Sequence, residues 1–282
     1  MMRKCVLAFS FICLMATAAC SSDDIFRLWD VSEQAEIGLS EAAEEFPRGG
    51  MVFVGEQHEV KAHHEGQVAV IKAAREAGLN VAVGLEMIQR KDQAALDRFI
   101  AGKIGFAAMR DVFHRNWNNF EAYRPIFEYC RKQHIPMLGL NVPREITRKV
   151  ARSGFESLTA EEIGLLPPIT CEVGPEYERF LRRVLGEHHH GSKAFEQFCE
   201  AQLVWDAAMA VHALAYMEDH PDRTVILLCG MIHAWRPAIP AQVEKQSPGT
   251  PHVVIQPLIN GRFDKSSARS EDADYLLLDS RN

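Results

Sequence analysis

The chain has 282 residues, of which 47% are hydrophobic, 24% charged and 9% aromatic, a globular composition that excludes a disordered chain, a collagen-like fibre and a polytopic membrane protein. That length can bury a sizeable core, as one large α/β domain or two smaller ones. The formal net charge is −7, and from residue 20 onward 29 basic residues face 38 acidic ones, which argues against nucleic acid as a partner because phosphate contacts need a basic face.

The N-terminus opens on Arg3 and Lys4 and runs apolar from Cys5 to Ala19. A helix of that length rises only about 22 Å, short of a hydrocarbon core of about 30 Å. The segment therefore reads as a secretory signal peptide over residues 1–19. Thr17-Ala18-Ala19-Cys20 resembles a bacterial lipobox, whose cysteine is acylated and becomes the mature N-terminus, with Thr17 where leucine is usual. The expectation is a lipid on Cys20 and a soluble body held at a membrane by a diacyl anchor. Ser21 after that cysteine resembles the sorting signal for the outer membrane of a Gram-negative bacterium.

Residues 20–39 read as the lipidated N-terminus and a linker, and residues 40–282 as a single α/β domain. Met51–Gly55 is the first buried strand, followed by helical periodicity over about Lys61–Ala77. Val81–Glu86 is the second strand, with helices across 90–113 and 119–133 after it. Pro136–Leu140, Val225–Cys229 and His252–Gln256 are the third, fourth and fifth strands, and Tyr275–Leu278 a sixth at an edge. Uniformly apolar strands alternating with helices imply a mainly parallel sheet flanked by helices on both faces. Residues 143–221 form a helical insertion, a cap, between the third and fourth strands. In the long helix Lys193–Met217, Phe195, Phe198, Gln202, Trp205, Met209 and His212 share one stripe, read as core first.

Cys5 and Cys13 leave with the signal, and Cys130, Cys171, Cys199 and Cys229 remain in the body. Cys130 and Cys229 sit in apolar stretches and read as buried thiols. Four cysteines allow three pairings in an oxidising compartment, among them Cys171 with Cys199.

Polar residues gather where the strands end. The first strand runs into Glu56-Gln57-His58, the second into Glu86, the third into Asn141 with Arg144 just after, and the fourth into Met231-Ile232-His233. In an open parallel sheet the carboxyl edge is where ligands bind. Glu56, His58, Glu86 and His233 are ordinary ligands for a divalent metal such as zinc or manganese, and equally an acid–base set for a bound ester or peptide. Arg144 can clamp a carboxylate or a propionate. The same residues also fit a structural network in which Glu56 and Glu86 pair with Arg144. Asp206, in an apolar helix, needs a partner; it either orients His58 or His233 or pairs with an arginine. His63 and His64, on the first turns after Gly55–His58, either add to the pocket or, as the default, are exposed.

Gly55–His58, Gly84–Met87, Asn141–Ile146, Ala201–Ala210 and Cys229–Pro240 stand in order, with Asn116–Cys130 between them. Together they resemble the ChaN-type haem-binding lipoproteins, relatives of Tiki-type metalloproteases, TraB-like proteins and erythromycin-esterase-like enzymes. The resemblance covers about residues 40–260. It implies an α/β fold with a helical insertion, haem binding at a membrane surface in iron acquisition without turnover, a dimer enclosing haem, and an outer-membrane haem receptor as partner. It also implies that Glu56, His58, Glu86, Arg144 and His233 mark a pocket used for metal or acid–base work in enzymatic relatives. That metal-dependent hydrolase or protease is the alternative function. One departure is Ile232, which stands where the family more often has glycine and restricts the backbone.

Haem iron accepts His, Met, Cys or Tyr. The insertion offers Tyr177 and the run His188, His189 and His190 as ligand candidates. A histidine run in a glycine-bounded loop also reads as a solvated tract, and Tyr177 as the core edge of an amphipathic helix. Arg179, Arg182 and Arg183 can meet propionates or line a solvated face.

Overall fold

The computed structural model describes residues 25–185, 193–260 and 263–281. The signal peptide, Cys20 and the histidine run 188–190 lie outside the described residues.

Strands β1 (Phe26–Asp30) and β2 (Ala35–Gly38) come first, then helix α1 (Leu39–Glu44). Next are β3 (Met51–Glu56), α2 (Lys61–Glu76) and β4 (Asn80–Gln89). Helices α3 (Gln93–Ile100), α4 (Phe106–Asn116) and α5 (Phe120–Lys132) precede β5 (Met137–Asn141). The insertion holds α6 (Arg144–Ser153), α7 (Ala160–Ile163), α8 (Pro175–Leu185) and α9 (Lys193–Asp219). The chain closes with β6 (Arg223–Gly230), α10 (Met231–Ala234), α11 (Ile239–Gln246), β7 (His252–Pro257) and β8 (Tyr275–Asp279).

One eight-stranded sheet has the order β2-β1-β8-β7-β3-β6-β4-β5. The six strands from β8 to β5 run parallel, and β1 pairs antiparallel with β8 and with β2. This is the α/β architecture that the apolar strands imply. Side chains alternate across it. Val52 and Val54 of β3 and Ile226 and Leu228 of β6 face a core shared with α2 to α5. Met51, Phe53, Val225, Leu227 and Cys229 face the other core, shared with α8, α9 and α11. A sheet buried on both faces is why these strands carry no polar alternation. Among the described residues no helix is long and apolar enough to cross a membrane.

The structure corrects three of the sequence expectations. The linker over 20–39 holds a hairpin instead, because Phe26 and Leu28 bury themselves in the first core while β1 hydrogen-bonds to β8. That hairpin places β8 inside the sheet rather than at its edge. The helical stretch over 90–113 is broken into a 3₁₀ turn at Arg90–Asp92 and the separate helices α3 and α4. The break falls where Gly102 takes φ +74°, a conformation glycine reaches without penalty.

All four cysteines of the body are free. Cys130 and Cys229 are buried thiols, as expected. Cys171 and Cys199 form no bridge; the Cys171 thiol instead donates to the Glu200 carbonyl at 3.6 Å. Burial pushes both thiols up to about 12.

Candidate functional site

Three strand ends and a β-irregularity converge at the carboxyl edge of the sheet. β3 ends on Glu56, β6 on Gly230 and β5 on Asn141. The register between β4 and β5 shifts between Leu85 and Gln89, and Glu86 lies in that interval, where such irregularities re-aim side chains. Asn141 braces the corner: its Nδ2 donates to the Glu86 carbonyl at 2.8 Å and its Oδ1 accepts from the Val142 N–H at 2.8 Å.

Glu56 is 1% exposed and fully engaged. The His58 Nδ1–H donates to Oε1 at 2.7 Å, the Tyr123 hydroxyl to the same oxygen at 2.5 Å, and Gln67 Nε2 to Oε2 at 2.8 Å. Helix periodicity brings these donors in. On α2, His64, Gln67 and Ile71 share a buried stripe. On α5, Phe120, Tyr123, Phe127 and Cys130 do the same, packed on Phe113. The His64 ring packs tilted against Tyr123 at 4.2 Å and sits 3.4 Å from Glu56 Oε2, so it is buried rather than exposed. Burial alone would raise the Glu56 carboxyl, but the hydrogen bonds and charges of His58 and His64 outweigh it and hold it at about 2. Burial opposes charge on His58, and its bond to Glu56 and the nearby Glu86 carboxylate raise it overall. His63 is half-buried, and its Nδ1 accepts the Gln57 N–H at 2.9 Å.

A second carboxylate–histidine pair stands opposite. The His233 Nδ1–H donates to Asp206 Oδ1 at 2.6 Å, and the Tyr177 hydroxyl donates to Asp206 Oδ2 at 2.5 Å. Asp206 is completely buried, and burial raises its carboxyl. His233 is opposed by burial but lifted to about 9 by Glu86 and Asp206. Of the two roles open to Asp206, it is His233 that it orients. Tyr177 is buried with its hydroxyl committed there, so its place is behind His233 and not at an open haem face.

Glu86 lies between the pairs. Its Oε2 accepts the Gly230 N–H at 2.6 Å, and its Oε1 is 3.7 Å from His233 Nε2. Gly230 lets His58 approach: a Cβ there would stand 3.0 Å from His58 Cε1 and Nε2. The structural network of Glu56 and Glu86 with Arg144 is not formed. Arg144 lies 5.8 Å over the Trp117 ring, and Trp117 packs edge-on against His58 at 5.0 Å.

With both Nδ1 atoms donating to carboxylates, His58 keeps its Nε2 for a ligand while His233 Nε2 faces Glu86 Oε1, and a histidine anchored through Nδ1 in this way is oriented for proton transfer. The four residues proposed as metal ligands are not grouped for that task. Glu56 is used up by four neighbours, and among the described residues no set of three or more His, Cys, Asp or Glu side chains is placed to hold a metal ion. His212 donates from Nδ1 to the Leu140 carbonyl at 2.7 Å, a satisfied helix histidine.

Next to His233 on the same edge, a groove of about 280 Å³ is lined by Arg183, Val184, Met231, Ile232, Trp235 and Phe263. Buried Asp272 sets its wall, accepting from Trp235 Nε1 at 2.9 Å and from the Arg183 guanidinium. A larger cavity of about 850 Å³ lies between β1, β8 and the start of α2 and touches His63 but neither carboxylate–histidine pair.

Sequence reasoning placed Glu56, His58, Glu86, Asn141, Arg144, Asp206 and His233 in one pocket, and the structure brings them to one region, with Arg144 at its margin beside Glu86 and Asn141; Tyr177, expected as a haem ligand in the insertion, joins them through Asp206. Sequence reasoning missed Tyr123 and Gln67, and it read His64 as exposed by default where the structure buries it. The signal was present as a polar residue within each otherwise apolar helical stripe.

Residues 42–243 match the sequence profile described as haem-binding uptake, Tiki superfamily, ChaN. Among solved structures, ChaN of Campylobacter jejuni, described with cofacial haem, is 19% identical and has a TM-score of 0.68, covering 92% of this chain and 98% of that one. An erythromycin esterase mutant in its open conformation is 12% identical with a TM-score of 0.47, covering 90% and 82%. No curated protein matches the chain. The profile match spans well over half of the sequence, and the chain therefore belongs to the ChaN haem-binding uptake family of the Tiki superfamily.

Proposed function

We propose that this chain is a lipid-anchored protein that binds haem as cargo in bacterial iron acquisition, without turning it over. Membership of the haem-binding family carries the reading. The groove beside His233 supports it. Trp235, Phe263 and Ile232 offer apolar walls, Arg183 a cation, and Met231 a thioether of the kind that ligates haem iron. At about 280 Å³ the groove takes one edge of a macrocycle, at the lower bound for ligand pockets. A second copy, with its own haem, is the proposed cover for the rest. Acylation at Cys20 is the proposed anchor, the outer membrane the proposed location, and an outer-membrane haem receptor the proposed transport partner.

The test is a haemin titration of the purified chain, followed by absorbance and size-exclusion chromatography. A saturable Soret shift is expected. Weak, non-saturating association would overturn the reading.

A second reading is favoured by one observation, the two carboxylate–histidine pairs facing Glu86. In it, His58 Nε2 accepts a proton from an attacking water while the His233 imidazolium donates one to a leaving group. An esterase and peptidase screen of the parent against His58→Gln tests it; activity equal in both chains overturns it.

A further inference from the structure

Under the start of α6 lies a small cavity of about 120 Å³, separate from the groove beside His233. Arg144, Arg148, Trp117, Trp205, Gln89 and Glu86 line it. Two of its buried polar atoms lack partners. Gln89 is 5% exposed, yet its Oε1 accepts from no group. Trp205 Nε1 is buried and donates to none. Half-buried Arg144 and exposed Arg148 border the same space, and among the described residues neither is in an ion pair. A buried donor or acceptor left unmade is costly, and native proteins satisfy such groups with water or a ligand.

The charges say which ligand. Two guanidinium groups and one indole N–H border the cavity with a single carboxylate, Glu86. That carboxylate is already engaged by the Gly230 N–H and faces His233. The balance is positive, and a forked guanidinium matches a planar carboxylate.

We propose that this cavity is a carboxylate subsite: a carboxylate-bearing arm of the ligand enters it, held by the Arg144 guanidinium and the Trp205 Nε1–H. Gln89 Oε1 accepts only from a donor, and a carboxylate brings none. A water donating to Gln89 and to the carboxylate completes the set. The volume equals about four waters at roughly 30 Å³ each, so it takes a carboxylate on a short methylene arm together with that water. Such an arm has two sources, a propionate of bound haem or a free small carboxylate. The first source rests on the haem reading; the second does not.

The experiment compares the purified parent chain with Arg144→Gln and Trp205→Phe. Calorimetry measures sodium propionate binding, and absorbance measures haemin and haem dimethyl ester, whose propionates are blocked. Propionate affinity is expected to fall tenfold or more in Arg144→Gln and less in Trp205→Phe, with Arg144→Lys between Gln and parent. If the arm comes from haem, haemin weakens in Arg144→Gln by a similar factor, while the ester binds parent and variant alike. If it comes from a free carboxylate, propionate depends on Arg144 and haemin does not. Either pattern supports the subsite. If neither ligand distinguishes parent from Arg144→Gln, and melting shows both folded, the subsite is overturned while haem binding stands or falls separately. Loss of all haem binding with propionate intact overturns the haem reading alone.

Discussion

The His58 imidazole reaches to 3.0 Å of the point where a side chain on Gly230 would begin. Only the missing Cβ lets the ring lie against the end of β6 while its Nδ1 stays on Glu56. Gly230→Ala should push the ring off that carboxylate with the fold retained, at an overpacking cost of about 1–3 kcal/mol. Histidine titration by NMR checks it: the His58 pKa, raised in the parent, should drop.

Asp206→Asn removes the acceptor shared by His233 and Tyr177. It should destabilise by about 3–5 kcal/mol, as breaking a buried ion pair does. The pH dependence identifies the cause. The folded pKa of His233 is about 9 against an ordinary 6.5, so its contribution is full below about pH 6.5 and is lost as pH rises through about 9. Melting temperatures of the parent should therefore decline over that interval, and the Asp206→Asn variant should show a flatter curve.

Tyr123→Phe takes one donor from Glu56 and should cost about 1–2 kcal/mol. The lost hydrogen bond goes to the charged carboxylate, whose folded pKa is about 2 against 4.5. The difference between parent and variant should be full above about pH 4.5 and shrink as pH falls toward 2. Denaturant melts at descending pH read it directly.

Thiol titration of the native protein should find Cys130 and Cys229 unreactive and Cys171 and Cys199 slow, because burial suppresses the thiolate. In denaturant all four should react without prior reduction, since none is paired.

The parallel sheet and its polar edge were legible because buried strands leave continuous apolar runs, and whatever polar group follows each run must sit at the strand end. Glu56, Glu86 and His233 were found in this way. The donors Tyr123 and Gln67 on Glu56 were not, because such hydrogen bonds join residues far apart in sequence: Tyr123 reaches Glu56 over 67 positions. The hairpin of β1 and β2 was hidden for a related reason. Phe26-Arg27-Leu28-Trp29-Asp30 alternates like a strand but is too short to stand out, and β8, near the far end of the chain, supplies its ladder. The metal set was misread because residue type was visible and side-chain commitment was not.

The register of β1 also sets the way the molecule faces. Phe26 pairs with Asp279 at the carboxyl end of β8, so the described chain enters the fold on the same side as Glu56, Glu86 and Gly230. From Cys20 to Phe26 a fully extended chain spans only about 20 Å. A lipid on Cys20 would therefore hold the binding face toward the bilayer at short range, so that haem would arrive and depart through the narrow space between protein and membrane. Lengthening that tether would be the way to turn the face outward.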